Sequence, residues 1–130
     1  MGNFTEWLGK FLGGPTGPDD SLVKPLVDDQ TWQAALAEDR AFVYKHSPIC
    51  VVSARARREL DRFVKTHSKI PIYVVDVLGN RDMSDRIEKD LGILHESPQI
   101  ILLSHGTPQW NESHWNVKAD AMASELSKLD

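Results

Sequence analysis

Apolar residues recur along this chain with two different periods, and their alternation predicts its elements. Phe4, Trp7, Leu8, Phe11 and Leu12 fall at i, i+3, i+4, i+7 and i+8, which puts all five on one face of a short helix. The run Gly13-Gly14-Pro15-Thr16-Gly17-Pro18 then reads as a linker. A lone helix of about ten residues is marginal in water. It is therefore expected to dock on its own domain, a partner, a second copy or a membrane surface.

The segment 1–20 is thus set apart from a domain spanning 21–130. Within that domain Leu22 to Val27 is a short edge strand, with Pro25 tolerable only at an edge. Asp28 or Asp29 caps a helix to about Glu38 that buries Trp32, Ala35 and Leu36. Ala41 to Lys45 is a strand leading into the turn His46-Ser47-Pro48-Ile49. A helix from Cys50 to Thr66 follows, with Val52, Ala56, Leu60, Phe63 and Val64 on one face. Ile70 to Val77 is continuously apolar, as a strand buried on both faces is. Asn80 or Asp82 opens a helix that stops at Gly92. Gln99 to Ser104 is another buried strand, and His105 to Pro108 turns the chain into a last strand around Gln109 to Glu112. A helix from Val117 to Leu129 closes the chain, with Ala119, Met122, Ala123 and Leu126 inward.

The order is β-α-β-α-β-α-β-β-α. Its first part suits right-handed crossovers in a mainly parallel sheet, and its end is a hairpin plus a helix. The fold class is α/β, a central mixed sheet flanked by helices, which is the arrangement of a thioredoxin-like fold.

Composition narrows the function. Of 130 residues, 41% are hydrophobic and 26% charged, which is ordinary globular usage. Lys and Arg number 15 against 19 for Asp and Glu, so no basic excess exists to track phosphates and no nucleic-acid partner is expected. No run approaches the roughly 20 apolar residues of a membrane span. Glu6 and Lys10 interrupt a signal-peptide pattern, and Glu6 stands where a myristoylation motif wants Ser or Thr. The expected location is the cytoplasm. The single cysteine excludes an internal disulfide and argues against a thiolate-built zinc site.

That cysteine, Cys50, stands directly after a buried strand and at the start of a helix. The unpaired N–H groups and positive dipole end there favour an anion. A thiolate is the anion on offer, and Lys45 and His46 just upstream are candidates to assist it. The alternative is a small buried core residue, as free cysteines often are. Ser53 lies one helical turn on, giving Cys50-Val51-Val52-Ser53, a C-x-x-S spacing. Ser53 thus stands where the resolving cysteine of a C-x-x-C pair would be. Pro98 opens the last apolar strand, at the point where thioredoxin folds carry a cis-proline facing the active cysteine.

Lys45-His46-Ser47, Cys50 with Ser53, His95-Glu96-Ser97-Pro98-Gln99 and Ser113-His114-Trp115 resemble the monothiol bacilliredoxins over about residues 21–130. These are bacterial thioredoxin-fold proteins that use bacillithiol in place of glutathione. The resemblance implies a cytoplasmic thiol–disulfide oxidoreductase acting on client proteins that carry bacillithiol as a mixed disulfide. Bacillithiol or another low-molecular-weight thiol would serve as co-substrate, with no bound cofactor and no metal. Cys50 and Ser53 are the catalytic candidates. Ser97, Pro98, His46, Ser47, Ile49 and His114 are the substrate-binding candidates. One departure stands out: the family commonly reads Cys-Pro-x-Ser, whereas Val51 follows the cysteine here and Pro48 precedes it by two.

Other residues have plainer readings beside functional ones. His46 is a base or a solvated loop residue, and His67 and His105 are turn residues. Arg55, Arg57 and Arg58 are a solvated helix face or a contact for the carboxylates of bacillithiol. Trp110 and Trp115 are core or hairpin residues. Two rival functions remain: a redox sensor whose cysteine accepts a thiol or oxidises to sulfenic acid, and a binding module whose cysteine is inert. The aromatic face at Phe4 to Leu12 makes self-association a further expectation.

Overall fold

The computed structural model describes residues 22–130. The helix expected over Phe4 to Leu12, the Gly/Pro linker and self-association through that helix fall outside the described residues. Five strands form one sheet: β1 (Val23–Pro25), β2 (Arg40–His46), β3 (Ile72–Asp76), β4 (Gln99–Ser104) and β5 (Thr107–Ser113). Among the described residues four α-helices accompany them: α1 (Asp29–Ala37), α2 (Val51–Thr66), α3 (Arg81–Leu91) and α4 (Ala119–Ser127). A 3-10 turn, His114–Asn116, precedes α4.

The sheet order is β1-β3-β2-β4-β5. The strands β1, β3 and β2 run parallel, while β4 and β5 are antiparallel to their neighbours. The expected mixed α/β architecture is therefore present. Alternation along the strands sorts side chains into two cores. Phe42, Tyr44, Ile72, Val74, Ile100 and Leu102 pack with Ala56, Leu60 and Phe63 of α2 and Met122 and Leu126 of α4. Ala41, Val43, Tyr73, Val75, Ile101 and Leu103 pack on the other face with Trp32 and Ala35 of α1 and Met83 and Ile87 of α3. Both faces of the central strands are buried, which is why β3 and β4 read as continuous apolar runs.

Local chemistry sets the helix ends. Asp28 accepts from the Thr31 N–H at 2.9 Å, and Thr31 Oγ1 accepts from the Asp28 N–H at 3.1 Å, a reciprocal cap on α1. Asn80 accepts from the Met83 N–H at 3.1 Å to open α3, and Gly92 at φ 69° closes it. No side chain caps α4 from its own N-cap residue. Instead, Glu59 of α2 reaches across to take the Ala119 N–H at 2.9 Å.

Several details differ from the expectations. The strand expected from Leu22 to Val27 narrows to Val23–Pro25, with Pro25 on an edge strand as required. The last strand starts earlier, at Thr107, because a register shift between Leu102 and Leu103 accommodates Pro108 within the edge strand. On α2 the inward face begins with Ser53 rather than Val52, which is only half-buried. Ser53 shares a face with Ala56 and Leu60, three and seven positions on.

Candidate active site

The site lies where β2 runs into α2. Cys50 is the N-cap residue of α2, with extended backbone, φ −99° and ψ 127°. It is partly accessible. A turn bond from the Cys50 N–H to the Ser47 carbonyl, 3.2 Å, holds the approach to the helix. The neutral thiol makes no capping hydrogen bond, but the thiolate is favoured. The backbone N–H of Ser53 foremost, joined by that of Val52 and by the Ser53 hydroxyl, pulls the thiol below its ordinary pKa, and together they outweigh the opposing effect of burial. These are the unpaired amides of a helix start doing what they do for any anion.

Ser53 is fully buried and held by bonds from Ser47 and Tyr44. Its Oγ accepts the Ser47 N–H at 3.2 Å, which leaves its own proton for the sulfur. Its carbonyl accepts the Tyr44 hydroxyl at 3.2 Å. The same hydroxyl lies 3.0 Å from His46 Nδ1. A carbonyl can only accept, so both bonds form together when Nδ1 of His46 carries the proton and donates to Tyr44. Burial is the main cause that lowers the pKa of His46 to about 4, so the ring is neutral near pH 7. Burial also raises the Tyr44 pKa, keeping it a hydroxyl.

The expectation that Lys45 and His46 assist the thiol needs correcting. Lys45 points to the opposite face of the sheet, where it meets Ser84 and His95. His46 is neutral and bonded to Tyr44. The thiolate is favoured by helix amides and Ser53 instead.

The other expected residues lie on the turn before α2, the loop before β4, and the 3-10 turn, which packs on α2. The Ser97–Pro98 peptide is cis, and Pro98 and Gln99 are buried. The Ser97 hydroxyl is buried without a hydrogen-bond partner among the described residues. The Pro98 carbonyl accepts the His114 N–H at 2.9 Å, tying the 3-10 turn to the proline. His114 sits at φ 56°, and its Nε2 lies 3.3 Å from Glu96 Oε1. Ser47 is buried, while Ile49 and Val51 flank the cysteine with 70% and 79% exposure.

Trp115 is not the core or hairpin residue expected: it is 55% exposed, with the Arg55 guanidinium 5.6 Å from its ring centroid. Trp110 does pack against the core. Arg55 makes no ion pair among the described residues. Sequence reasoning missed Tyr44, Ser84 and Glu88. Tyr44 looked like one more apolar strand residue, and the other two looked like ordinary polar positions on a helix. No group of three or more potential metal ligands occurs among the described residues, and no helix there is long and apolar enough to cross a membrane.

A five-stranded mixed sheet, a lone cysteine at a helix start and a cis-proline opening β4 define a thioredoxin-fold protein of the single-cysteine type. The family model for the monothiol bacilliredoxin BrxC matches residues 24–122, and the chain belongs to that family. Among solved structures, it is similar to a putative oxidoreductase with a thioredoxin fold, with TM-score 0.76 and 27% identity over 82% of this chain and 95% of the other. A thioredoxin from Trypanosoma brucei brucei and a mutant thioredoxin from Halobacterium salinarum share the fold. Each has TM-score 0.67, with 14% and 9% identity over 82% of this chain and 89% and 88% of theirs. Family and fold together support a thiol redox function.

Proposed function

We propose that this chain is a monothiol thiol–disulfide oxidoreductase that removes bacillithiol, or a similar low-molecular-weight thiol, from protein mixed disulfides. The observation that carries the reading is the Cys50 thiol, partly accessible and held below its ordinary pKa by the α2 amides and Ser53. Family membership supports bacillithiol as the thiol.

In the proposed cycle the Cys50 thiolate attacks the bacillithiol sulfur of the mixed disulfide. The client sulfur leaves with the electron pair of the broken S–S bond as a thiolate, and a Cys50–bacillithiol disulfide forms. A second low-molecular-weight thiolate, or another redoxin, then attacks the bacillithiol sulfur and returns Cys50 as thiolate. Cys50 is the sole cysteine, so it cannot resolve itself. Ser53 donates to the sulfur whenever it carries charge. The Ser97 backbone, Pro98, His46, Ser47, Ile49 and His114 form the groove that receives the disulfide, and the cytoplasm is the compartment where a reduced thiol of this kind works.

The test follows release of a client from its bacillithiol mixed disulfide, with Cys50→Ser as the blank, and reads Cys50 by intact mass. Turnover with transient bacillithiolation of Cys50 is expected. Accumulated adduct without turnover in the presence of excess thiol would instead make the protein a sensor. An alkylation midpoint at or above about pH 8.5, the unperturbed thiol value, would leave only a binding module.

A further inference from the structure

Two of the sequence segments singled out above meet at one buried cation. Lys45 precedes His46 in β2, so alternation turns it to the α3 side of the sheet. Its side chain has no accessible surface. The ammonium donates to the Ser84 carbonyl at 3.2 Å and to His95 Nδ1 at 3.0 Å. The Ser84 hydroxyl also lies 3.1 Å from that nitrogen. Glu88 of α3 takes the His95 backbone N–H at 2.6 Å. Gln99, the cross-strand partner of Lys45, donates to the Leu94 carbonyl at 3.1 Å. Leu94 and His95 are thereby held from β2, α3 and β4, directly before Glu96, Ser97 and Pro98.

Burying an ammonium is costly, and an apolar side chain of similar shape often packs as well or better. The placement of this one points past packing, because the bonds it organises converge on the segment that carries Ser97. We propose that Lys45 is a positioning residue for disulfide exchange, its ammonium clamping His95 so that the loop of residues 93–98 presents Ser97 and Pro98 to the incoming disulfide. The inference rests on the exchange reading given above. It also assigns work to His95 and Gln99, which the proposed cycle leaves unused.

The clamp requires a neutral imidazole, since a protonated Nδ1 cannot accept from an ammonium. Burial first, and then the Lys45 charge, lower the His95 pKa. Burial lowers Lys45 to about 8. The groups facing the pair are Asp85 and Glu88 from α3, and Glu96 of the loop, each of which favours the charged form of His95; Asp85 and Glu88 do the same for Lys45. Acidification below the His95 pKa puts two cations in contact and opens the clamp.

The experiment compares wild type, Lys45→Met, His95→Leu and His95→Gln, the last retaining a carbonyl acceptor. Amide hydrogen exchange at residues 94–97 reads the loop directly, whether or not the chain turns over. Exchange there is expected to quicken at least about tenfold in Lys45→Met and His95→Leu while α2 keeps its protection. With a bacillithiol mixed disulfide, KM is expected to rise about tenfold with kcat nearly kept, and the Cys50 alkylation midpoint to stay put. His95→Gln is expected to keep wild-type values within about threefold. Unchanged loop exchange in a folded His95→Leu or Lys45→Met would overturn the clamp, as would a Cys50 midpoint that moves with KM. A wild-type chain without turnover would refute the exchange reading, and with it the positioning role given to Lys45 in exchange, even if the loop exchange showed the clamp itself to be present.

Discussion

The Ser47 backbone N–H donates to the Ser53 hydroxyl oxygen across 3.2 Å, joining the end of β2 to the first turn of α2 over the cysteine between them. The bond orients the hydroxyl so that its proton is left for the Cys50 sulfur. A serine at the third position after the cysteine thus holds the turn and solvates the thiolate with one group.

Replacing Ser53 by Ala removes both functions. The buried Ser47 N–H loses its acceptor, at a cost of about 1–3 kcal/mol. The Cys50 midpoint is expected to rise, but by less than a full return to the ordinary thiol value, because the Ser53 and Val52 amides remain. Urea unfolding and pH-dependent iodoacetamide labelling check the two effects separately. A midpoint that falls or stays fixed in Ser53→Ala would show that the hydroxyl does not solvate the sulfur.

His46 makes stability depend on pH. Its folded pKa of about 4 lies below the 6.5 of an unperturbed histidine, so the unfolded chain takes up the proton first as pH falls. Its contribution is complete above about pH 6.5 and is lost progressively down to about pH 4, by up to ~3 kcal/mol. Asp61 acts in the opposite sense. Burial raises it to about 6, so the folded chain holds its proton more tightly and gains stability as pH falls through 6 towards 4. Denaturant titrations from pH 4 to 7 should therefore show a flatter acid limb in His46→Gln and a steeper one in Asp61→Asn.

Arg55 over the Trp115 ring is a cation held near the helix start with no carboxylate partner among the described residues. Cation–π contacts of this exposed kind are worth roughly 0.5–1 kcal/mol, too little to explain the pair by stability. If bacillithiol is the co-substrate, Arg55→Glu is expected to raise KM for its mixed disulfide about tenfold at low salt and less at high salt. An uncharged small-thiol disulfide should show no such change. Equal effects on both disulfides would count against a carboxylate contact.

The β4–β5 turn places His105 at φ 50° and Gly106 at φ 77°, two successive left-handed residues. Asn-Gly is the preferred pair in such turns. His105→Asn is expected to stabilise the fold by about 0.5 kcal/mol, since Asn tolerates this conformation better than His. Gly106→Ala should destabilise it, because the added Cβ would meet the Leu36 carbonyl oxygen at 2.8 Å. Melting temperatures of both variants check the signs.

The fold was legible because the sheet is buried on both faces and the helices on one. The apolar runs Ile72 to Val75 and Ile100 to Leu103, set between helical spacings, leave few arrangements open. Cys50 was legible as well, since a residue that closes the turn after a strand and starts a helix meets the helix amides whatever the rest of the chain does. The edges read less well. Pro108 looked like a turn because nothing local announces the register shift that lets an edge strand hold it.

Sequence alone therefore determined the element order, the two-faced core and a cysteine at a helix start, all of which follow from spacing within a few residues. The tertiary structure decided what those residues meet. It sent Lys45 to Ser84 and His95 rather than to the thiol, set Tyr44 against the Ser53 carbonyl and His46, and left Trp115 on the surface under Arg55. The physical reason is range. Periodicity fixes which way a side chain faces, but the partner it finds there depends on strand order and on segments far along the chain, such as the one that brings His95 to Lys45, 50 residues away.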